Sequence, residues 1–142
     1  MGEAGDIRNW ILELEPYDAF AAAVEIPVRT GDLIVLHFIH SFNKMPVKET
    51  LIVTADGEFE LKESEFTNLG AGYDTEPVSG NYRLENGKIH ITEINIRYPK
   101  IPLRIGTVAQ HVLIVAQKRY DLKSLFGGGK RIDIQLKPAK KL

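Results

Sequence analysis

The stretch Leu51–Leu61, LIVTADGEFEL, decides the fold class. An apolar run ends at Asp56-Gly57, and a run of alternating apolar and charged residues follows it. Asp-Gly tolerates the positive φ of a type I′ turn, so the pattern predicts a β-hairpin. The stretch Tyr82–Ile91, YRLENGKIHI, has the same arrangement around Asn86-Gly87 and predicts a second hairpin. Two such hairpins indicate an antiparallel β protein.

Alternation of apolar and polar residues extends this interpretation towards both ends of the chain. It runs through Arg131–Leu136, RIDIQL, and through Trp10–Glu15, WILELE. Successive strand side chains face opposite sides of a sheet, so each stretch predicts a strand with one buried face. The runs Asp32–Ile39 and His111–Ala116 have apolar residues at both odd and even positions, which predicts central strands covered on both faces.

Three interruptions divide the second half of the chain. The apolar phase slips by one residue near Glu93, which predicts a bulge or a break in the strand. Pro99 and Pro102 predict a bend where the chain crosses an edge or changes sheet. Tyr120–Phe126 could form one short helix, ended by the triple glycine at 127–129.

The predicted fold is therefore all-β. We expect a single domain over residues 1–142, built as an antiparallel β-sandwich or a partly open barrel, with at most one short helix near 120–126. A chain of 142 residues suits one domain with its own core. Its 44% hydrophobic and 26% charged residues are ordinary for a soluble globular fold.

Composition and spacing exclude several classes of function. A net charge of -1 without a basic stripe argues against nucleic-acid binding, which depends on neutralising phosphates. The absence of cysteine excludes disulfides, thiolate nucleophiles and cysteine metal sites. No apolar stretch approaches the roughly 18 residues of a membrane span. The four histidines show no metal-ligand spacing, so we predict neither a metal nor a cofactor.

The first candidate site is the stretch Phe38–Glu49, FIHSFNKMPVKE, which carries His40, Ser41, Lys44 and Glu49. If the strands on either side of its turn pair, His40 lies close to Glu49. That contact would fix the histidine tautomer and raise the histidine pKa. The cluster is interpreted either as a ligand or partner contact or as a salt-bridged strand end.

The second candidate site lies in Leu69–Asp74, LGAGYD, and comprises Gly70, Ala71, Gly72 and Tyr73. Two glycines around a small residue allow positive φ and close approach of another group. Consecutive backbone N–H groups there could bind an anion, or the segment could be a tight turn packed on a neighbour.

Two functions from different classes follow from these sites. The first is a non-enzymatic domain that binds a ligand or partner through both segments. The alternative is a small hydrolase with His40 as general base and Glu49 orienting it. Adjacent strand residues point apart, which makes His40 and Ser41 a poor dyad, and no G-x-S-x-G elbow occurs. Recognition is therefore favoured over catalysis, and no catalytic residue is assigned.

These motifs, together with Tyr120-Asp121-Leu122 ahead of a glycine, resemble the family called domain of unknown function 1850. The resemblance covers roughly residues 32–136. The matching positions in the first two segments are His40, Ser41, Lys44, Pro46, Val47, Glu49, Gly70, Ala71 and Gly72.

The resemblance implies a partner and a location rather than a reaction. Such proteins are often encoded beside subunits of tripartite TRAP-type transporters of the TAXI class. It therefore implies an accessory role with a permease or a solute-binding subunit as partner. Many members carry an N-terminal hydrophobic segment, so we expect a tethered or secreted, extracytoplasmic protein if such a segment precedes this chain, and a cytoplasmic one otherwise.

Overall fold

Two antiparallel sheets make up the computed structural model, which describes residues 7–39, 44–67 and 80–139. The elements within these residues are β1 (Asn9–Pro16), β2 (Val24–Arg29), β3 (Leu33–Ile39), β4 (Pro46–Val53), β5 (Phe59–Thr67), β6 (Asn81–Glu85), β7 (Lys88–Thr92), β8 (Ile96–Tyr98), β9 (Lys100–Arg104), β10 (Val112–Val115), β11 (Lys118–Asp121), α1 (Leu122–Phe126) and β12 (Arg131–Pro138).

The small sheet has the strand order β2-β1-β12-β9, and the large sheet has the order β11-β10-β3-β4-β5-β7-β6. Strand β8 also belongs to the large sheet, where it pairs with β5. Every strand pair in the described part of the chain is antiparallel, and neither sheet closes into a barrel there. The prediction of an all-β sandwich with one short helix is confirmed.

The core lies between the two sheets and follows the predicted alternation. The small sheet contributes Trp10, Leu12, Leu14, Ile26, Val28, Ile132 and Ile134. The large sheet contributes Ile34, Leu36, Leu51, Val53, Phe59, Leu113 and Val115. Removing these apolar surfaces from water is the main force that holds the sheets together.

Both predicted hairpins are present, but they use different turns. Asn86 (φ 54°) and Gly87 (φ 76°) join β6 to β7 with positive φ at both positions, as a type I′ turn requires. Between β4 and β5, Gly57 has φ 84° and Asp56 does not have positive φ. That loop is wider, and the Thr54 hydroxyl accepts a hydrogen bond from the Glu58 N–H at 2.9 Å.

The predicted interruptions are also present. Strand β7 ends at Thr92, and Glu93 (φ 55°) begins a break before β8. After β8 the chain changes sheet at Pro99, because β8 pairs with β5 in the large sheet and β9 pairs with β12 in the small one. Pro102 lies on β9, an edge strand, where a missing N–H donor is tolerated. We call Tyr98–Pro102, which runs from the end of β8 into β9, the crossing segment.

One prediction about burial is wrong. The apolar runs that form β3 and β10 lie centrally in the large sheet, but on their outer face only Val112 of β10 is buried. On the outer face Leu33 is 54% exposed, while Val35 and Ile114 are half-buried. The physical reason is that an antiparallel sheet can be stabilised by packing on one face only.

Candidate functional site

The Glu49 carboxyl group interrupts an otherwise apolar row of β4 side chains on the inner face of the large sheet. Glu49 lies on β4, opposite Leu36 of β3 and Ser64 of β5. The β4 residues that share its phase, Val47, Leu51 and Val53, are all buried. Glu49 therefore lies on the face of β4 that the core occupies.

The Glu49 side chain borders a cleft of about 300 Å³ between the two sheets. The inner face of the large sheet forms one wall, and the segment that crosses from β8 to β9 forms the other. The lining residues are Leu36, Glu49, Leu51 and Leu61 from the large sheet, and Tyr98, Lys100, Ile101 and Pro102 from the crossing segment. We call this space the Glu49 cleft. Its volume is at the lower end of the range for small-molecule pockets.

A bulge in β5 shapes the backbone at this end of the sandwich. The register between β4 and β5 shifts between Thr50 and Leu51, so that Thr50 pairs with Glu63 and Leu51 pairs with Leu61. The unpaired Lys62 accepts a hydrogen bond at its carbonyl from the Ile94 N–H, at 3.1 Å. On one edge of β5, the residues before the bulge pair with β8 and the residues after it pair with β7. Strand β8 leads directly into the crossing segment.

The electrostatics of the cleft are unusual for a glutamate. Burial raises the pKa of Glu49 above its ordinary value of 4.5, because desolvation disfavours the carboxylate. Among the residues that the structure describes, no side chain donates a hydrogen bond to Glu49 or forms an ion pair with it. Lys100 also lines the cleft, but its Nζ lies 3.1 Å from Asp133 Oδ2, and this bond raises the pKa of Lys100. Lys100 is therefore engaged with Asp133.

The structure describes two of the eight predicted site residues. Lys44 (φ 62°) is exposed just ahead of β4, and Glu49 lies in the cleft. The end of the β3–β4 ladder pairs Ile39 with Pro46, so Glu49 is three pairs inside the ladder. His40, Ser41, Gly70, Ala71, Gly72 and Tyr73 lie outside the described residues. A contact between His40 and Glu49 thus stays a prediction.

Sequence reasoning did not identify the apolar walls of the cleft. One signal was available, because Glu49 falls in phase with Val47, Leu51 and Val53, and a charged residue there must enter the core side of the strand. The opposite wall, Tyr98–Pro102, carries no comparable signal. It is brought to Glu49 only by the way in which the two sheets pack.

Another titratable group, the buried His111, precedes β10. Its Nδ1 accepts a hydrogen bond from the Gly106 N–H at 3.3 Å, and its ring centroid lies 5.4 Å from that of Phe38. The residue is 7% exposed, and burial lowers its pKa from the ordinary value of 6.5. The neutral imidazole is the form that this hydrogen bond requires, so His111 has a structural role.

Replacing His111 with asparagine is expected to reduce the acid sensitivity of the fold. The folded-state pKa of His111 is lowered, so wild type loses stability as the pH falls through 6.5 towards the folded value. Asparagine keeps an acceptor for Gly106 but does not titrate. Urea unfolding at about pH 7.5 and about pH 5.5 should show a smaller loss in the variant than in wild type. Equal losses in the two proteins would contradict this assignment.

Neither a metal cluster nor a membrane-spanning helix is found within residues 7–39, 44–67 and 80–139. No group of three or more His, Asp or Glu side chains there could hold a metal ion. No helix in the same residues is long and apolar enough to cross a membrane.

The fold and the Glu49 cleft define a small antiparallel β-sandwich protein with an inter-sheet pocket. The chain belongs to the family described as "Domain of unknown function (DUF1850)", which matches residues 34–122. This match contains most of the large sheet and the whole lining of the Glu49 cleft. Comparison with curated proteins and with solved structures gives no match.

Proposed function

We propose that this chain is a non-enzymatic binding domain whose ligand site is the Glu49 cleft. The observation that carries the proposal is the position of one carboxyl group, without a described partner, in a cleft lined mainly by apolar side chains. Binding pockets combine apolar walls with a few polar groups that orient the ligand. A carboxyl group with a perturbed pKa in a cleft is also a recognised marker of functional sites.

Binding is favoured over hydrolysis by the composition of the cleft. The described lining contains no histidine that could act as general base, and Ser64, which pairs with Glu49 across β4 and β5, does not belong to it. Glu49 shares the lining of the cleft with Leu36, Leu51 and Leu61, whose apolar side chains can exclude water and hold an apolar group.

The proposal predicts that small apolar molecules bind in the cleft. Methyl-labelled protein titrated with a set of single-ring aromatic fragments should show NMR shift changes at Leu36, Leu51, Leu61 and Ile101. The methyl groups of Leu12 and Leu14, which lie in the core on the small sheet, serve as reference signals. Shift changes at neither set, or at both sets equally, would contradict a ligand site in this cleft.

We also propose a subunit of a TRAP-type transporter of the TAXI class, either the permease or the solute-binding subunit, as the protein partner. The family resemblance supports this proposal. The proposed contacts are the remaining predicted site residues, His40, Ser41, Lys44, Gly70, Ala71, Gly72 and Tyr73. Crosslinking in native membranes with wild type and His40→Ala as baits tests it. Recovery of a transporter subunit with wild type alone is the expected result, and recovery of none would count against the partner.

A further inference from the structure

The chemistry of the Glu49 cleft restricts what the ligand can be. The walls are formed by leucine, isoleucine, proline and tyrosine side chains, so most of the ligand surface must be apolar. A volume of about 300 Å³ accommodates a molecule of one or two rings or a short branched chain. The ligand must therefore be small and largely apolar.

The charged side chains around the cleft determine which sign of charge the polar end of that ligand can carry. Glu49 has no hydrogen-bond donor or cation beside it in the part of the chain that the structure describes, and Lys100 is held by Asp133. A ligand anion would meet the Glu49 carboxylate and would have to compete with Asp133 for Lys100. A ligand cation would supply the charge partner that Glu49 lacks. Tyr98 adds an aromatic side chain to the same lining, which also suits a cation.

We infer that the Glu49 cleft binds a small organic cation, with an ammonium group on the Glu49 carboxylate and an apolar body between Leu36, Leu51, Leu61 and Ile101. This inference rests on the proposed function and specifies its ligand class. The ammonium N–H groups would donate to the Glu49 Oε atoms. Burial in the cleft disfavours the Glu49 carboxylate and raises its pKa, and a cationic partner would offset that cost.

Three probes of nearly equal size test the inference: benzylamine, benzyl alcohol and benzoate. They share one ring and differ in carrying a cationic, a neutral or an anionic group. Binding is measured by NMR titration at about pH 7.5, where an alkylamine is protonated and benzoate is ionised. The expected result is that benzylamine binds roughly 10- to 100-fold more tightly than benzyl alcohol, since a hydrogen bond to a charged group contributes about that factor. Benzoate should bind most weakly.

Matched variants separate the charge of Glu49 from other effects. Glu49→Gln keeps the side-chain size and removes the carboxylate, so the preference for benzylamine should fall to about threefold or less. Glu63→Gln removes an exposed carboxylate from β5 and should leave the preference unchanged. Circular dichroism of each variant establishes that it is folded before it is titrated.

The possible outcomes distinguish the inference from the proposed function. If benzyl alcohol or benzoate binds in the cleft as tightly as benzylamine, the inference of a cationic ligand is overturned. The proposal that the cleft binds a ligand is then retained. An unchanged benzylamine preference in Glu49→Gln would likewise overturn the role of Glu49. If none of the probes shifts the cleft methyl groups, both the inference and the proposed function fail.

Discussion

Replacing Phe59 with alanine is expected to lower the free energy of unfolding by about 3–5 kcal/mol. Phe59 is fully buried on β5, opposite Val53 on β4 and Tyr98 on β8. Alanine would remove a whole aromatic ring from the core between the sheets and leave a cavity that the surrounding strands can close only in part. For a domain of ordinary stability, about 5–15 kcal/mol, this loss is a large fraction of the total.

Urea denaturation followed by tryptophan fluorescence measures this effect, because Trp10 belongs to the same core. Leu33→Ala is the matched control. Leu33 is 54% exposed on the outer face of the large sheet, so its replacement should cost less than about 1 kcal/mol. A loss of similar size in both variants would contradict a core that lies on the inner face of the large sheet.

Replacing Glu49 with leucine is expected to stabilise the fold by about 1–2 kcal/mol at neutral pH. The variant removes a poorly solvated carboxylate and extends the apolar row formed by Val47, Leu51 and Val53. Functional sites commonly retain groups that cost stability, and their removal stabilises the protein while function is lost. Glu49→Leu should therefore also lose benzylamine binding.

The pH dependence of this gain has a defined sign. The folded-state pKa of Glu49 is raised, so wild type loses stability as the pH rises from 4.5 through the folded value. The gain from Glu49→Leu should be largest above that window and should shrink below 4.5, where the side chain is neutral in both states. Thermal unfolding at the two ends of the window measures it. A Glu49→Leu protein that is less stable than wild type at neutral pH would mean that the carboxylate is well partnered.

Local sequence signals predicted most of the fold, because they report backbone preferences directly. Asn86-Gly87 fixed one hairpin, and the slip near Glu93 and the proline at 99 marked where the chain leaves one sheet for the other. The turn at Ala116 (φ 51°) and Gln117 (φ 68°) was missed, since neither residue favours positive φ. Strand pairing on both sides holds that turn in place.

The site was predicted less completely, for a physical reason. Glu49 could be singled out from its own strand, because its phase is that of the core. The cleft exists only because the crossing segment with Tyr98 and Pro102 packs opposite the large sheet, more than forty residues later in the chain. Such a contact depends on how the two sheets stack, and no local pattern encodes it.

The pKa of the Glu49 carboxyl, measured by ¹³C NMR titration of the wild-type protein, tests most directly whether the cleft holds a poorly solvated carboxylate. Glu13 gives an internal comparison in the same spectra. Lys137 Nζ lies 2.9 Å from Glu13, and the hydrogen bond it donates lowers the pKa of Glu13 below 4.5. We predict a midpoint above 4.5 for Glu49, and addition of benzylamine should lower it. A Glu49 midpoint at or below 4.5 in the free protein would contradict a poorly solvated carboxylate in the cleft.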